Sequence, residues 1–350
     1  STSRRQRQMC IRDRLEREIN HNIQKRQKEL ELTIALTNYC NFSCVYCYQN
    51  KNEKLMTTEV ANMIIEKIDR ILNDNIFEGI NIHYFGGEPL LNIPVLIYLD
   101  ENIKKITDKI GIVYKAFLTT NGSMLSKELL QKVKFSSIQL TFDGLEKTHD
   151  RLRVSDHFHF KEEIELIENI MNFSQAKVLL RTNICKENKD EIIALHKYIF
   201  EKFGNERIEI NPNRTIKYHQ DDSFEMLSVQ EYAEVAYQIK LLWSEQKGKF
   251  ELPVPRSTPC KFPYGNAYAI SPEGYCTFCS GSMDQEKKYF FDVDIENKKM
   301  FSVRKECKKC NILPLCLGGC IIQYNLRAGA CTYEKYELKN ILISYIKHIS

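Results

Sequence analysis

Three cysteines stand close together in the first part of the chain, at the spacing CxxxCxxC. They are Cys40, Cys44 and Cys47, and they follow an apolar run that ends at Leu36. Three thiolates on one loop can bind three irons of a [4Fe–4S] cluster and leave the fourth iron without a protein ligand. An iron with an open position can bind a small molecule and pass it an electron. A structural zinc site or an ordinary cluster is the alternative, although zinc sites favour paired CxxC motifs and four ligands.

Three further motifs lie at the ends of apolar runs. Gly86-Gly87-Glu88-Pro89 follows one predicted strand, Thr119-Thr120-Asn121-Gly122 ends the next, and the segment 139–144 ends another. Glycine allows the backbone to approach a ligand closely, so that its carbonyl groups can accept hydrogen bonds. In parallel α/β barrels the ligand sites lie at the C-terminal ends of the strands. We therefore expect these motifs and the cysteine loop to meet at one site.

The four motifs, in this order, resemble the radical S-adenosylmethionine (SAM) superfamily, in which GGEP is a recurrent motif. The resemblance implies that the open iron binds the amino and carboxylate groups of SAM. Reductive cleavage of SAM then gives a 5′-deoxyadenosyl radical, which removes a hydrogen atom from an unactivated C–H bond. The implied SAM contacts are Tyr46, Gly86, Gly87, Glu88, Asn121, Thr141, Arg153, Arg181 and Asn183.

The resemblance also implies roles for some of these contacts. Tyr46 holds the position where the superfamily has an aromatic residue near the adenine, with packing inside the loop as the alternative. Thr141, in place of the usual Ser, and Arg153 align with the groups that bind the SAM carboxylate in sulfatase-maturating relatives. A guanidinium can bind a carboxylate bidentately, although Arg153 could instead form a surface ion pair. Arg181 and Asn183 are two apart on a strand and share a face.

A second group of cysteines occupies the last quarter of the chain. Cys260 is followed by Gly274 and Cys279, then by CX2CX5CX3C from Cys307 to Cys320, and finally by Cys331. This pattern resembles the SPASM domain, which usually carries two auxiliary [4Fe–4S] clusters. The resemblance implies one complete ligand set, Cys307, Cys310, Cys316 and Cys331, and one incomplete set, Cys260, Cys279 and Cys320. Cys276 is a candidate for the missing ligand, unless that site is open and binds substrate. A zinc-ribbon-like module is the alternative, because thiolate sets also accept zinc.

Strand and helix patterns alternate between the two cysteine-rich regions. The predicted strands are 32–36, 80–85, 112–119, 138–142, 178–184 and 208–211, with helices between them and after the last. Thr57, Ser126 and Ser228 are predicted to cap helices. Six such units predict an α/β fold with a parallel sheet. By resemblance this is the partial (β/α)6 TIM-like barrel of the radical SAM type, followed by a C-terminal cysteine-rich SPASM domain.

We expect three parts in the chain, namely 1–14, 15–250 and 251–350. Residues Met9 to Asp13 match what a sequencing adaptor encodes, so 1–14 are interpreted as an artefact and Cys10 as no ligand; a genuine basic tail is the alternative. Residues 15–250 are the predicted barrel, and 251–350 are the predicted SPASM domain, with a hairpin over 267–278 and a closing helix over 334–349. No winged-helix leader-binding domain is expected ahead of the barrel. Leader recognition then belongs to the barrel, to a separate protein, or to a domain lost with the true start.

The composition of the chain excludes several classes of function. The net charge of +4 over 350 residues is mild and excludes a strongly basic nucleic-acid binder. Most of the 13 cysteines of the chain stand in cluster spacings, which indicates a reducing cytoplasm rather than a disulfide framework. The absence of a run of about 18 or more apolar residues predicts no transmembrane helix. Neither nucleic acid nor a membrane is therefore an expected partner.

SPASM radical SAM enzymes mostly modify peptides. The resemblance therefore implies a maturase whose substrate is a ribosomally made peptide, with or without a leader. The reaction would cross-link this peptide through a thioether or carbon–carbon bond. Electrons would come from a flavodoxin- or ferredoxin-like donor. An anaerobic sulfatase-maturating, formylglycine-forming enzyme is the alternative. That family has Asp after the second SPASM cysteine and Gln before GGEP, where this chain has Ser280 and Phe85. The alternative of another class is a non-enzymatic iron–sulfur or zinc protein.

Overall fold

The computed structural model describes residues 28–74, 77–204, 207–217, 223–250 and 331–349, with Arg17 and the shorter pieces 252, 260, 262, 266–277, 279–280, 288–293, 307 and 310–320. The expectations for residues 1–14, including Cys10, lie outside this part. Its strands are β1 (Glu29–Ala35), β2 (Gly79–Phe85), β3 (Val113–Thr119), β4 (Phe135–Thr141), β5 (Lys177–Ile184), β6 (Ile208–Arg214), β7 (Asn266–Ile270), β8 (Tyr275–Thr277) and β9 (Lys288–Tyr289). Its helices are α1 (Thr58–Asp74), α2 (Ile93–Ile110), α3 (Lys127–Lys132), α4 (Glu146–Leu152), α5 (Phe160–Phe173), α6 (Ile192–Phe203), α7 (Val229–Lys247), α8 (Leu313–Cys316) and α9 (Glu334–Ile349).

The first six strands lie side by side in chain order, and all of them are parallel. This confirms the α/β fold with six strand–helix units. The predicted hairpin is also present, but its first strand, β7, also joins the barrel sheet, which was not predicted. β7 pairs in parallel with β1, from Leu30 opposite Asn266 to Ile34 opposite Ile270. β8 and β9 then continue the sheet in antiparallel pairing, so the hairpin extends the barrel sheet itself.

The two faces of this sheet differ in chemistry. On β1 and β2 the side chains of Leu30, Leu32 and Ile82 are completely buried in the apolar core beneath the helices. On the opposite face, polar side chains such as Glu31 and His83 line a cavity of about 210 Å³, together with residues of β3, β4 and β5. Because side chains from five neighbouring strands enclose one cavity, the sheet curves around its polar face. Strand alternation thus separates a core from a lumen that can hold ligands.

Helix starts follow the predicted caps. The Ser126 hydroxyl accepts a hydrogen bond from Leu129 N at 3.2 Å. Ser228 and Glu231 form a reciprocal capping box, with N–H to side-chain oxygen distances of 3.1 and 2.8 Å. Side-chain oxygens at these positions satisfy backbone donors that have no partner within the helix.

The sixth strand is longer than predicted. The sequence analysis ended it at Asn211, yet β6 continues through Pro212 to Arg214 in register with β5. β6 is the edge of the sheet, and β5 is its neighbour. Proline is tolerated on an edge strand because no further strand requires its missing N–H.

The C-terminal helix α9 has the predicted bounds and packs against α7. Lys240 Nζ lies 2.7 Å from Glu337 Oε1, and the hydroxyls of Tyr237 and Ser344 are 2.5 Å apart. Over the described residues, none of the helices combines the length and the apolar character needed to cross a membrane.

Asn92 provides a test of how the strand ends are held. Its buried side-chain amide donates to Leu36 O at 3.1 Å and to Met56 O at 3.0 Å. Asn92→Ala leaves both carbonyl groups without this donor, so we expect a loss of about 1–3 kcal/mol in the free energy of unfolding. Urea denaturation followed by circular dichroism measures it.

Asn102→Ala is the matched control for this test. The Asn102 amide donates to Tyr98 O at 2.8 Å within its own helix, so its removal is expected to cost less than about 0.5 kcal/mol. Equal losses for the two variants would contradict the role given to Asn92.

Candidate active site

The cysteine loop lies at the C-terminal end of β1, and its shape is set by backbone hydrogen bonds. Ser43 N donates to Val154 O at 2.8 Å and Val45 N to Leu152 O at 3.0 Å, which fixes the loop against the end of α4. Within the loop, Cys47 N donates to Cys44 O at 3.1 Å. The three thiols are half-buried and line one cavity of about 260 Å³.

The glycine pair after β2 touches this loop directly. Gly87 N donates to Thr37 O at 2.9 Å. A Cβ atom added at Gly87 would come within 2.2 Å of Tyr39 O, and one at Gly86, where φ is +136°, within 2.3 Å of Thr37 O. No side chain fits at either position. The sequence analysis explained these glycines by the close approach of a ligand. The structure adds a second reason, because the backbone of the loop after β1 also comes close to them.

The Glu88 carboxylate joins two of the strand-end loops. It is completely buried and accepts hydrogen bonds from Leu90 N at 3.0 Å, Thr120 Oγ1 at 2.7 Å and Asn121 N at 2.6 Å. Burial raises the pKa of this carboxyl to about 7, although the three hydrogen bonds oppose the shift. Glu88 does not line the cavity, in contrast to Gly86 and Gly87. The contacts of Glu88 therefore hold the loops after β2 and β3 together. Its direct contact with SAM stays a prediction.

Most of the other predicted SAM contacts surround the same cavity as the three cysteines. The structure brings together around it Tyr46, Gly86, Gly87, Asn121, Thr141, Arg153, Arg181 and Asn183. Asn121 Nδ2 also lies 3.9 Å from Cys40 Sγ and donates to Asn41 Oδ1 at 2.8 Å. The alternation predicted for β5 is observed, since Arg181 Nε donates to Asn183 Oδ1 at 2.8 Å.

Tyr46 is held by a buried carboxylate. Its hydroxyl donates to Asp143 Oδ2, and Asp143 Oδ1 accepts from Asn183 N at 2.6 Å. Burial raises the pKa of both side chains, so the phenol keeps its proton at neutral pH. The sequence analysis included Asp143 only as part of the motif 139–144 and gave it no role at the site. Its contact with Tyr46 spans 97 residues of chain, and no local pattern signals a contact of that separation.

Arg153 is not on the surface, which excludes the surface ion pair considered above. Its side chain is 6% exposed and lies 5.4 Å over the ring of Phe42. Burial alone would lower the pKa of this guanidinium, but Glu163, Cys44 and other acidic groups raise it well above its usual value. Arg153 therefore brings a permanent positive charge to the cysteine end of the cavity.

The comparisons with known proteins agree with this geometry. Residues 34–199 match the model of the Radical SAM superfamily. This segment is a radical SAM domain. Members of the superfamily are enzymes that use a [4Fe–4S] cluster and SAM, and the chain thus carries an enzyme domain.

One curated relative matches most of the chain. It is the radical SAM cyclopropyl synthase TigE of Paramaledivibacter caminithermalis, which is 24% identical over 357 aligned positions that cover 89% of this chain and 73% of TigE. The chain spans only about half the length of several other curated relatives, between 39% and 53%.

Two solved structures share the fold over nearly the whole chain. anSMEcpe with bound AdoMet and Cp18Cys peptide has a TM-score of 0.70 at 17% identity, covering 92% of this chain and 100% of its own. Streptococcus suis SuiB bound to S-adenosylmethionine has a TM-score of 0.61 at 18% identity, covering 91% and 79%. At such identities the likeness is one of fold.

The donors of the radical SAM domain fit a cluster bound by three thiolates. Cys40 Sγ accepts from Phe42 N at 3.4 Å, a contact that a thiolate strengthens. Burial raises the pKa of Cys40, and it raises that of Cys44 to about 12 against the opposing charge of Arg153, so iron must displace the thiol protons. Among the described residues no group of three or more His, Cys, Asp or Glu side chains surrounds a single metal ion. The thiolates of a cubane bind separate irons and do not require such a group.

Several contacts join parts of the C-terminal cysteine region. Cys310 N donates to Cys307 O at 2.9 Å, and a Cβ at Gly319 would come within 2.3 Å of Thr332, so the segment around Cys316 packs against the residue after Cys331. Burial raises the pKa of Cys316, and the neighbouring Cys307 adds to that shift. These contacts bring the segments that carry Cys307, Cys310, Cys316 and Cys331 near one another. Their binding of one cluster stays a prediction. None of the twelve described cysteines forms a disulfide.

Cys276 and Cys260 lie on opposite faces of β7. Cys276 is 2% exposed and belongs to the apolar core cluster with Tyr268 and Ile270. Cys260 instead packs with Ala267 and Ala269, on the other face of β7. This placement counts against Cys276 as the fourth ligand of the incomplete set.

Some cavity residues were missed from sequence. They are contributed by the cysteine loop and by the end of β6, namely Tyr48, Gln49, Asn213, Arg214, Thr215 and Ile216. Ending the predicted strand at Pro212 removed the last four from consideration. The polar alternation Asn211, Asn213 was the available signal, since it continues the lumen pattern of the other strands.

The raised pKa of Glu88 predicts a pH dependence of stability. The folded state holds this proton more tightly than the unfolded state, so the stabilisation is present below about pH 4.5 and is lost as the pH rises through about 7. Relative to Glu88→Gln, the free energy of unfolding of the metal-free protein should fall by on the order of 3 kcal/mol between pH 4.5 and 7. Urea titrations at several pH values measure the difference. A flat difference, or one that rises with pH, would contradict the raised pKa.

Proposed function

We propose that the enzyme cleaves SAM reductively and uses the resulting radical to modify a peptide. The observation that carries this proposal is a single cavity lined by the three loop cysteines and by eight predicted SAM contacts. When bound, the cluster and SAM supply an electron and a 5′-deoxyadenosyl radical, which takes a hydrogen atom from the substrate. The chain's own residues bind, orient and enclose the reactants.

The residues around the cavity divide these tasks. Thr141 and Arg153, beside the cysteines, bind the SAM carboxylate, and the carbonyl groups of the glycine pair accept from its ammonium group. Tyr46, fixed by Asp143, packs near the adenine. Arg181 and Asn183, on β5, face the remaining part of SAM. All of these contacts are proposals supported by shared lining of one cavity and by the superfamily match.

A peptide substrate is supported by relatives and by the lumen. TigE matches this chain along 89% of its length, and anSMEcpe, which shares the fold, was solved with a peptide bound. The SAM cavity also continues into the polar lumen, because Thr119 and Gln139 line both. We propose a ribosomally made peptide in which the radical leads to a thioether or carbon–carbon cross-link. A flavodoxin- or ferredoxin-like protein would supply the electrons.

Formylglycine formation is less well supported. Phe85 occupies the position where sulfatase-maturating enzymes have Gln, and its ring lines the cavity. A phenyl ring cannot donate or accept the hydrogen bonds of an amide. Ser280, in place of the Asp of that family, lacks a carboxylate that could remove a proton. Both differences favour a cross-linking reaction.

We further propose two auxiliary [4Fe–4S] clusters in the C-terminal region. One is bound by Cys307, Cys310, Cys316 and Cys331, and the grouping of Cys316 with Cys307 and Thr332 supports it. The other is bound by Cys260, Cys279 and Cys320. These clusters would accept the second electron after hydrogen abstraction or bind the substrate.

Cys40→Ala tests the radical chemistry. After anaerobic reconstitution with iron and sulfide, the wild-type protein reduced by dithionite should convert SAM to 5′-deoxyadenosine, and the variant should show no product above background. Removing one of three thiolates leaves the cluster unbound. Chromatography of the nucleoside products measures the result.

Cys276→Ala is the control, because Cys276 is buried in the apolar core cluster and is not part of the cysteine loop. It should keep both its iron and its SAM cleavage. Cleavage retained by Cys40→Ala would contradict the cluster assignment. No cleavage by the wild-type protein would favour the non-enzymatic iron–sulfur or zinc protein.

Cys316→Ala tests the auxiliary clusters. We expect the loss of about four of about twelve irons, because one complete ligand set is broken, while the SAM cleavage without substrate persists. Cys276→Ala, a cysteine in the apolar core, should keep all its iron. Iron and sulfide analysis with zinc determination measures both variants. Full iron content in Cys316→Ala, or zinc in place of the missing iron in the wild-type protein, would contradict the assignment.

A further inference from the structure

A buried carboxylate lies directly behind the proposed SAM carboxylate site. We propose that Glu163 is a positioning residue that holds Arg153 and Thr141 in place for the carboxylate of SAM. This inference rests on the proposed function, because it presupposes that SAM occupies the cavity. Glu163 does not line the cavity, so it acts through the two residues that do.

Glu163 reaches both residues from α5. Its Oε1 accepts a hydrogen bond from Thr141 N at 3.3 Å, at the end of β4. Its Oε2 lies 3.9 Å from Arg153 Nε and 3.2 Å from His149 Nε2. One carboxylate thus contacts the backbone of one predicted SAM contact and the charged side chain of the other.

The surroundings of Glu163 make these contacts strong. The side chains of Glu163, His149 and Arg153 are 0%, 2% and 6% exposed. The rings of Phe142 and Phe160 pack against His149, with centroids 5.6 and 5.5 Å away. Charges attract each other more strongly where water is excluded. A buried carboxylate without a cationic partner would also be costly, so Glu163 and Arg153 hold each other.

Arg153 remains available for a ligand despite this ion pair. At 3.9 Å the contact between Glu163 Oε2 and Arg153 Nε is longer than a hydrogen bond, and Nε is a buried atom on the side of the guanidinium that faces Glu163. The side chain lines the cavity together with Cys44. Glu163 therefore orients the guanidinium from behind and leaves its donors for an anion in front. A carboxylate suits these donors because a guanidinium binds it bidentately.

Equilibrium binding to Glu163→Gln tests the proposal. The variant keeps the shape and the oxygen that accepts from Thr141 N, but it loses the charge that holds Arg153. For the reconstituted protein we expect the Kd of SAM to rise on the order of tenfold, as is typical when a residue behind a ligand contact is changed. The Kd of decarboxylated SAM, which lacks the carboxylate, should change by less than about twofold. Anaerobic filter binding or calorimetry measures both ligands.

Controls separate positioning from a general structural role. Glu191→Gln removes another carboxylate charge that contacts α4. Glu191 precedes α6, and its Oε1 accepts from Thr148 Oγ1 at 2.7 Å. This variant should bind both ligands as the wild-type protein does. Glu163→Asp restores the charge with a shorter reach and should recover part of the SAM affinity. If Glu163→Gln does not take up its cluster, the ratio of the two Kd values is measured in Glu163→Asp instead, where SAM should still be affected more.

Three results would overturn the proposal. They are an unchanged Kd for SAM, an equal loss for both ligands, and tighter binding of SAM by Glu163→Gln, which would mean that Glu163 competes with the ligand for Arg153. A wild-type protein that binds no SAM would instead contradict the proposed function. The two failures are therefore distinguishable.

Discussion

The site depends on one close contact, that of the glycine pair after β2 with the loop after β1. Gly87 N donates to Thr37 O, and the space for a side chain at Gly87 is taken by Tyr39 O. This contact sets where the cysteine loop begins. Glu88, the next residue, turns its carboxylate away from the cavity and binds the loop after β3. Three strand ends are thereby joined by contacts of the chain itself, so the cavity does not rely on a ligand for its shape.

Buried carboxylates repeat this arrangement around the cavity. Glu88 holds the backbone of Asn121, Asp143 holds the hydroxyl of Tyr46, and Glu163 contacts Arg153. In each pair a carboxylate that water does not reach fixes a polar residue that lines the cavity. Burying charge is unfavourable unless it is paired or hydrogen-bonded. Each carboxylate therefore requires its partner, and this requirement fixes the orientation of groups that would otherwise sample several rotamers.

The sequence predicted those parts of the structure that depend on residues close together in the chain. Alternating apolar runs predicted six parallel strands, and the side-chain caps at Ser126 and Ser228 predicted helix starts, because each depends on residues a few positions apart. The contacts of Asp143 and the pairing of β7 with β1 join residues that are distant in the chain. The sixth strand is longer than predicted, and whether a strand can continue through Pro212 depends on whether it lies at the edge of the sheet. That position follows from the whole fold and not from the neighbouring residues.

The pairing of β7 with β1 also determines on which face of the sheet Cys276 lies. In a strand, a shift by one residue would exchange the two faces, and the register of β7 against β1 prevents such a shift. Ile270 lies opposite Cys276 on the side of the apolar core, while Ala269 lies opposite Thr277 on the other side. A cluster at Cys276 would have to displace core side chains, which close packing opposes. The hairpin therefore keeps Cys276 on the side of the apolar core, whereas Cys260 packs on the opposite side of β7.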